Sequence, residues 1–483
     1  MGGIGGHPKG LTMLFFAEMW ERFSFYGMRA ILMVFMVASV DVGGLGFSQA
    51  DAAWVYGNYT MACYLLCILG GFLADNFVGA RRAVLVGGLV ITAGHYTLAV
   101  DSLPCFYAGL GLVALGTGLL KPNISTLVGA LYRPDDRRRD AGFSLFYMGI
   151  NLGAFLSPLV TGWLAQSAGF REILVSWGLD PNGCWHWGFG AAALGMTAGM
   201  VVYARRLGDL GRAGAAPARD EPRPWGQLAI IAAGTALLLI LIGNAERWPW
   251  APWAVAVVAV AKLAHLTGLL RPDERPRMGA ILVFFASAVA FWALFEQAGS
   301  TLALFAEQLT RNEVGGVAFP SSWFQSANAL FVLALAPVFA WTWVRLGRHE
   351  PSVPVKFALG LLFLAFSFLL MVPASQATAA GKVSPLWLLG VYLLQTVGEM
   401  CLSPVGLSTM TKLAPRRLNG MIMGVWFLAG ALGNKLAGSL SAGYEGSDPA
   451  ALAGFFMNQA LVVLGLTAGL VAIAPWVRRM MGR

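Results

Sequence analysis

Apolar runs recur along this chain from end to end, separated by short polar or Pro/Gly-rich breaks. Many exceed the roughly 18 residues that distinguish a membrane-crossing helix from a buried core helix, and few charges interrupt them. The pattern predicts about fourteen spans, at 11–40, 49–74, 81–100, 104–131, 141–166, 185–206, 225–243, 250–269, 278–309, 319–345, 353–374, 384–413, 418–440 and 449–478. One stretch departs from it: RRLGDLGRAGAAPARDEPRPW, Arg205 to Trp225, has no apolar stripe and reads as a flexible cytoplasmic linker. The two spans that follow it carry little chemistry beyond Lys262 and His265. The expected organisation is a six-helix bundle over 1–206, a linker with two accessory helices over 207–277, and a second six-helix bundle over 278–483.

A chain of 483 residues could hold two or three soluble domains, but one that is 57% hydrophobic and 12% charged leaves almost no soluble mass. The expected fold class is therefore an all-α polytopic membrane protein. The net charge of +9 raises the question of anionic partners, and its distribution answers it. Of the 33 Lys and Arg residues, 24 gather on alternate loops and only 4 (Arg171, Arg247, Arg311 and Lys382) fall on the others. Positive charge marks the cytoplasmic side, so both termini are expected in the cytoplasm and the number of spans is even. That distribution argues against a nucleic-acid partner. Cys63, Cys67, Cys105, Cys184 and Cys401 lie in or beside apolar spans without metal-ligand spacing and read as packing residues. The first apolar run is too long and too charged for a cleavable signal peptide.

The chemistry is concentrated in polar residues inside the spans. The first span contains EMWERFSFYG, and at about 100° per residue Glu18, Glu21, Arg22, Tyr26 and Arg29 share an arc of about 140°. Ionisable groups facing lipid are costly, so this face must look into the bundle, as either a structural ion-pair cluster or a working site. Lys121 lies in GLLKPNIS just before Pro122, where a kink can open. Asn151 lies in FYMGINLGAF, Glu296 and Gln297 in FWALFEQAGS, and Glu399 between Gln395 and Ser403 on one helical face. Four deep acids (Glu18, Glu21, Glu296, Glu399) face three bases (Arg22, Arg29, Lys121). If these form one cavity, one carboxylate should take up a proton readily. Opposite charges on separate helices also suit a zwitterion, with Glu399 taking an ammonium and Arg29 and Lys121 a carboxylate.

GGFLADNFVGARRAV resembles the G-x-L-A-D-x-x-G-x-R loop signature of the major facilitator superfamily, whose two six-helix halves bind substrate near the membrane midplane. In it, Asp75, Gly79, Arg81 and Arg82 are expected to act as a conformational latch, since a carboxylate at a helix C-terminus wants a compensating partner. EMWERFSFYGMRA resembles the E-x-x-E-R-F-x-Y-Y-G signature of the proton-dependent oligopeptide transporter (POT) family. GTGLLKPNISTLVG, FSLFYMGINLGAFLSPLVTG, FWALFEQAGS, WFQSANALFVLALAP and GEMCLSPVGLSTMTKLAP are similar to its later motifs, over nearly the whole chain. The resemblance implies a proton-coupling set of Glu18, Glu21, Arg22, Lys121 and Glu296. It implies substrate-pocket positions at Tyr26, Arg29, Tyr64, Lys121, Asn151, Asn328, Glu399 and Trp426. Phe25 stands where the family's signature has its first tyrosine, which removes a hydroxyl from the expected pocket.

The resulting expectation is a monomeric symporter of the cytoplasmic membrane that imports di- and tripeptides by alternating access. It uses the proton gradient and no cofactor or metal. The same fold carrying nitrate, an amino acid or a peptide-like drug is the alternative. A membrane-embedded enzyme is the reading from a different class, and no HExxH, GxSxG or Walker A pattern supports it.

Overall fold

The computed structural model describes residues 3, 6–133, 136, 138–216, 223–244, 247–248, 271–272, 274–414 and 419–482. Its helices are α1 (Lys9–Val37), α2 (Gln49–Leu73), α3 (Ala80–Leu98), α4 (Leu103–Ala130), α5 (Arg139–Gln166), α6 (Ala168–Ser176), α7 (Cys184–Arg205) and α8 (Trp225–Gly243). They continue as α9 (Arg275–Phe295), α10 (Thr301–Leu309), α11 (Gln325–Leu346), α12 (Val353–Ala377), α13 (Leu386–Leu413), α14 (Asn419–Ser441) and α15 (Pro449–Met480). Every expected span coincides with helix except that at 250–269, which with Lys262 and His265 lies outside the described residues. Among the described residues ten helices are long and apolar enough to cross a membrane. α1 is not one of them, because its buried face carries Glu18, Glu21, Arg22 and Arg29.

Helix starts follow local capping chemistry. Ser48 Oγ accepts from the Asp51 amide at 3.1 Å ahead of α2, and Asp448 accepts from Ala450 and Ala451 at 2.8 and 3.2 Å ahead of α15. Pro449 then occupies the first helical position, where its missing N–H costs nothing.

The chain divides into two compact units, Met1–Thr235 with Asn312–Leu330, and Ala236–Arg311 with Phe331–Arg483. In the first, α1 packs on α5 and α7, and α4 packs on α2 and α3. Leu11, Leu14, Ile91, Leu120, Ile124 and Met196 form part of its core. The beginning of α11 is held in this unit: Trp323 Nε1 donates to the Leu159 carbonyl at 3.1 Å and Ser326 Oγ to that of Phe155 at 2.7 Å. In the second unit α12 packs on α13 and α15, and α9 on α14.

Three features differ from the sequence reading. The span expected at 278–309 is two helices: α9 ends in a 3-10 turn, Glu296–Gly299, and Ser300 leaves the helical region at φ −127° and ψ −86° before α10 begins. A short helix, α6, and a two-stranded antiparallel hairpin, Glu313–Val314 with Val317–Ala318, lie between spans, the latter turning on Gly315 and Gly316 at positive φ. The linker is not structureless where it is described. Residues 207–216 are docked by backbone contacts, with the Arg81 amide donating to the Gly214 carbonyl at 3.1 Å, whereas 217–222 lie outside the described residues. Between α4 and α5, Arg138 hydrogen-bonds Asp136 and holds that carboxyl down at about 2, so the pair stays ionised at any working pH.

Candidate functional site

α1 is buried on almost all sides, and its charges are buried with it: Glu18, Glu21, Arg22 and Arg29 are 3%, 0%, 4% and 7% exposed. Arg22 Nε lies 3.0 Å from Glu18 Oε1, one turn earlier, and 2.5 Å from Glu21 Oε2. These contacts are close but out of line with the N–H bonds. Among the described residues Glu18 Oε2, both Glu21 oxygens and Arg22 Nη2 have no aligned hydrogen-bond partner. Buried polar groups are ordinarily satisfied, so this concentration of poorly aligned ions on one helix makes the cluster the candidate site. Phe25 supplies a face to the cluster, with the Arg22 guanidinium 5.6 Å from its ring centroid and Tyr26 packed edge-on against it.

Two glycines bring the second and fourth helices to this face. A Cβ on Gly70 or Gly118 would run into backbone of the opposite helix, so α2 and α4 meet at a distance only glycine permits. Asn123 Nδ2 fixes the register by donating to the Gly70 carbonyl at 3.2 Å. Lys121 is thereby placed with Nζ 3.6 Å from the Tyr64 ring centroid, close enough to act electrostatically on Glu18, Glu21, Arg22 and Tyr26. Arg29 is held separately, its Nε donating to the fully buried Tyr56 hydroxyl at 2.5 Å. Tyr56 is thus part of the site although the sequence reading passed over it. Its only signal was its place on the helix that carries Tyr64. Asn151, 6% exposed, turns back to its own helix and donates to the Tyr147 carbonyl at 3.0 Å.

The charge balance differs from that counted over the whole chain. Within the first unit two carboxylates (Glu18, Glu21) stand against three cations (Arg22, Arg29, Lys121), an excess of one positive charge. The expected negative excess arises only when Glu296 and Glu399 of the second unit are added.

In that unit Glu296 is 4% exposed and opens the 3-10 turn between α9 and α10. Glu399 is half-buried on α13, one turn after Gln395, which is fully buried with neither amide atom partnered among the described residues. Trp426 packs its ring edge on Gly406 of α13, and Asn328 sits half-buried in the first turn of α11, within the first unit. The sequence alone gives Gln297 no role. The structure makes it the centre of a buried neutral network, in which Gln297 Nε2 donates to Gln459 Oε1 at 2.6 Å and Thr301 Oγ1 to Gln297 Oε1 at 2.9 Å. Ser441 Oγ lies 2.6 Å from Ser300 Oγ and 2.8 Å from Thr301 Oγ1.

The loop motif is resolved residue by residue. Gly79 takes φ 80°, and a Cβ there would strike the backbone of Ala215 and Ala216. Arg81 does not turn to Asp75: its guanidinium donates to the Leu207 and Gly211 carbonyls at 2.9 and 3.2 Å. Arg223, at the far end of the linker, donates to the Asn76 carbonyl at 2.5 Å. Asp75 and Arg82 are exposed, and among the described residues neither makes a hydrogen bond or ion pair. The motif thus seats both ends of the linker.

Comparison with known proteins fits this architecture. The sequence model described as POT family matches residues 81–449. The chain is 40% identical to the uncharacterized transporter YclF of Bacillus subtilis, over 99% of this chain and 96% of that protein. It is 38% identical to the peptide transporter YePEPT of Yersinia enterocolitica, over 99% and 96%. Among solved structures, a crystal structure of a peptide transporter POT in complex with alafosfalin superposes with a TM-score of 0.86 at 41% identity, covering 99% of this chain and 97% of the other. A POT family transporter in complex with 5-aminolevulinic acid gives 0.84 at 31%, covering 98% of each. The relatives are transporters, and the fold is the major facilitator fold in a multi-pass membrane protein. Sequence pattern and fold agree along nearly the whole chain, and the protein belongs to the POT family.

Proposed function

We propose that this chain is a proton-coupled symporter that carries di- and tripeptides into the cell by alternating access. The observation that carries the reading is the buried set on α1, α2 and α4, in which Glu18, Glu21 and Arg22 meet Lys121 and Tyr64 in a chain of this family. A carboxylate whose arginine contacts are close but misaligned can exchange a proton without dismantling a fully formed hydrogen-bond pair. Glu18 and Glu21 are the proposed proton carriers, Arg22 and Lys121 their counter-charges, and Glu296 the second acid at the helix break. Arg29 and Lys121, each lying beside tyrosine, take the peptide carboxylate. Glu399 takes its ammonium, and Tyr26, Tyr64, Asn151, Asn328 and Trp426 complete the pocket. Asp75, Gly79, Arg81 and Arg82 remain the proposed latch, with Gly79 and Arg81 acting through the linker segment they seat.

Both termini are proposed to lie in the cytoplasm, on the side of the basic loops, with the protein a monomer in the cytoplasmic membrane. No cofactor, metal or enzymatic step enters the proposal, and the proton gradient supplies the driving force. Relatives bearing alafosfalin and 5-aminolevulinic acid support a second reading, in which peptide-like drugs or other small zwitterions share the pocket. Uptake of labelled dialanine into proteoliposomes tests the first. Accumulation above the outside concentration is expected when an inward proton gradient is imposed and not without one. Uptake indifferent to the gradient overturns the symport claim.

A further inference from the structure

On the side of the basic loops, the ends of four helices of the second unit enclose a cavity of about 250 Å³. Arg277 enters it from the first turn of α9, Val353 from the first position of α12, Thr409 and Lys412 from the last turns of α13, and Met481 from beyond α15. Thr409 is 5% exposed, and among the described residues its hydroxyl has no hydrogen-bond partner, although it lines the cavity. Among the same residues neither Arg277 nor Lys412 makes an ion pair. Lys356, a turn into α12, shows the contrast: it pairs with Glu350 and lies 4.2 Å from the Trp343 ring centroid. The N-terminus of α12 adds to the positive field, because Ser352 makes no side-chain cap bond there. A hydroxyl without a protein acceptor, two solvent-exposed cations without ion pairs among the described residues and a helix start without a side-chain cap face one small space, and one anion would serve them all.

We propose that this cavity binds a phosphate group, with Arg277 and Lys412 as counter-charges and the Thr409 hydroxyl and the Val353 amide as donors. Thr409 stands at the end of the apolar stretch Leu386–Met410, the level at which lipid phosphates lie. Basic pockets between helices on this side of a membrane suit anionic head groups. An anionic phospholipid and inorganic phosphate share the required chemistry.

The test uses the full-length protein in detergent. Native mass spectrometry with added phosphatidylglycerol or phosphatidylcholine reads the lipid, and calorimetry with inorganic phosphate reads the free anion. One phosphatidylglycerol retained in preference to phosphatidylcholine is expected, with affinity falling about fivefold for each cation removed in Arg277→Gln and Lys412→Gln. Thr409→Val, which removes the donor and keeps the shape, should weaken binding in the same direction and serves if the charge variants fold poorly. Phosphate bound with the same dependence on these residues, and lipid not retained, would support the site with a soluble anion as its ligand. Binding equal in wild type and all variants, or absent for both probes in the wild type, overturns the proposal.

Discussion

Two groups of buried polar side chains in this protein invite comparison. The Gln297, Ser300, Thr301, Ser441 and Gln459 network at the α9–α10 break is neutral and, among the described residues, leaves only Gln459 Nε2 without a partner. The Glu18, Glu21 and Arg22 cluster on α1 is charged, and several of its atoms lack an aligned partner. Both are almost fully buried, so desolvation does not separate them. Satisfaction does. A complete neutral network holds a geometry at little cost, here an irregular helix end, whereas ions buried with imperfect partners persist where they are used. We therefore propose an architectural role for the first group and a transport role for the second, and the two assignments can be broken separately.

The largest effect is expected at Lys121. Lys121→Gln should lower gradient-driven dialanine uptake by at least roughly tenfold, because it removes a counter-charge of the coupling set. Thermal stability should hardly move: the first unit carries one cation too many, so the change leaves two acids facing two bases instead of an orphaned charge. A large fall in melting temperature with transport retained would reverse the assignment. Ser441→Ala is the mirror experiment. It strands the Ser300 hydroxyl, takes one of two contacts from that of Thr301, and should cost about 1–3 kcal/mol, seen as a melting temperature lower by a few degrees with an unchanged KM. The smallest effect is expected at Phe25. Phe25→Tyr returns the hydroxyl that the family signature carries and should lower KM for dialanine by about two- to tenfold, the worth of one hydrogen bond. An unchanged KM would leave Phe25 as nothing more than the platform under Arg22.

What the sequence disclosed divides along the same line. Long apolar periodicity located each described span, because hydrophobic patterning is local and a bilayer imposes one length on every crossing. The charged residues of α1 were equally legible, since a Glu or Arg in an apolar run has no bland explanation. The break after Glu296 was missed: Gly299 and Ser300 signal it only weakly, and its cause is a set of hydrogen bonds to residues more than a hundred positions away. The docking of residues 207–216 was hidden for another reason. Arg81 binds main-chain carbonyls there, and a carbonyl has no signature in sequence. Tyr56 shows the same limit, for its bond to Arg29 depends on how α1 and α2 face each other. The contact of Lys121 with Tyr64 had no counterpart in the sequence reading, and the close approach of Gly70 and Gly118 gives it a physical cause.

The central claim is that the α1 carboxylates carry the coupled proton, and Glu21→Gln tests it most directly because the substitution fixes one of them in its protonated form. Proteoliposomes bearing the variant should exchange labelled for unlabelled dialanine at close to the wild-type rate, yet fail to accumulate it when a proton gradient is imposed. Loss of exchange together with accumulation, or accumulation retained, would contradict the account.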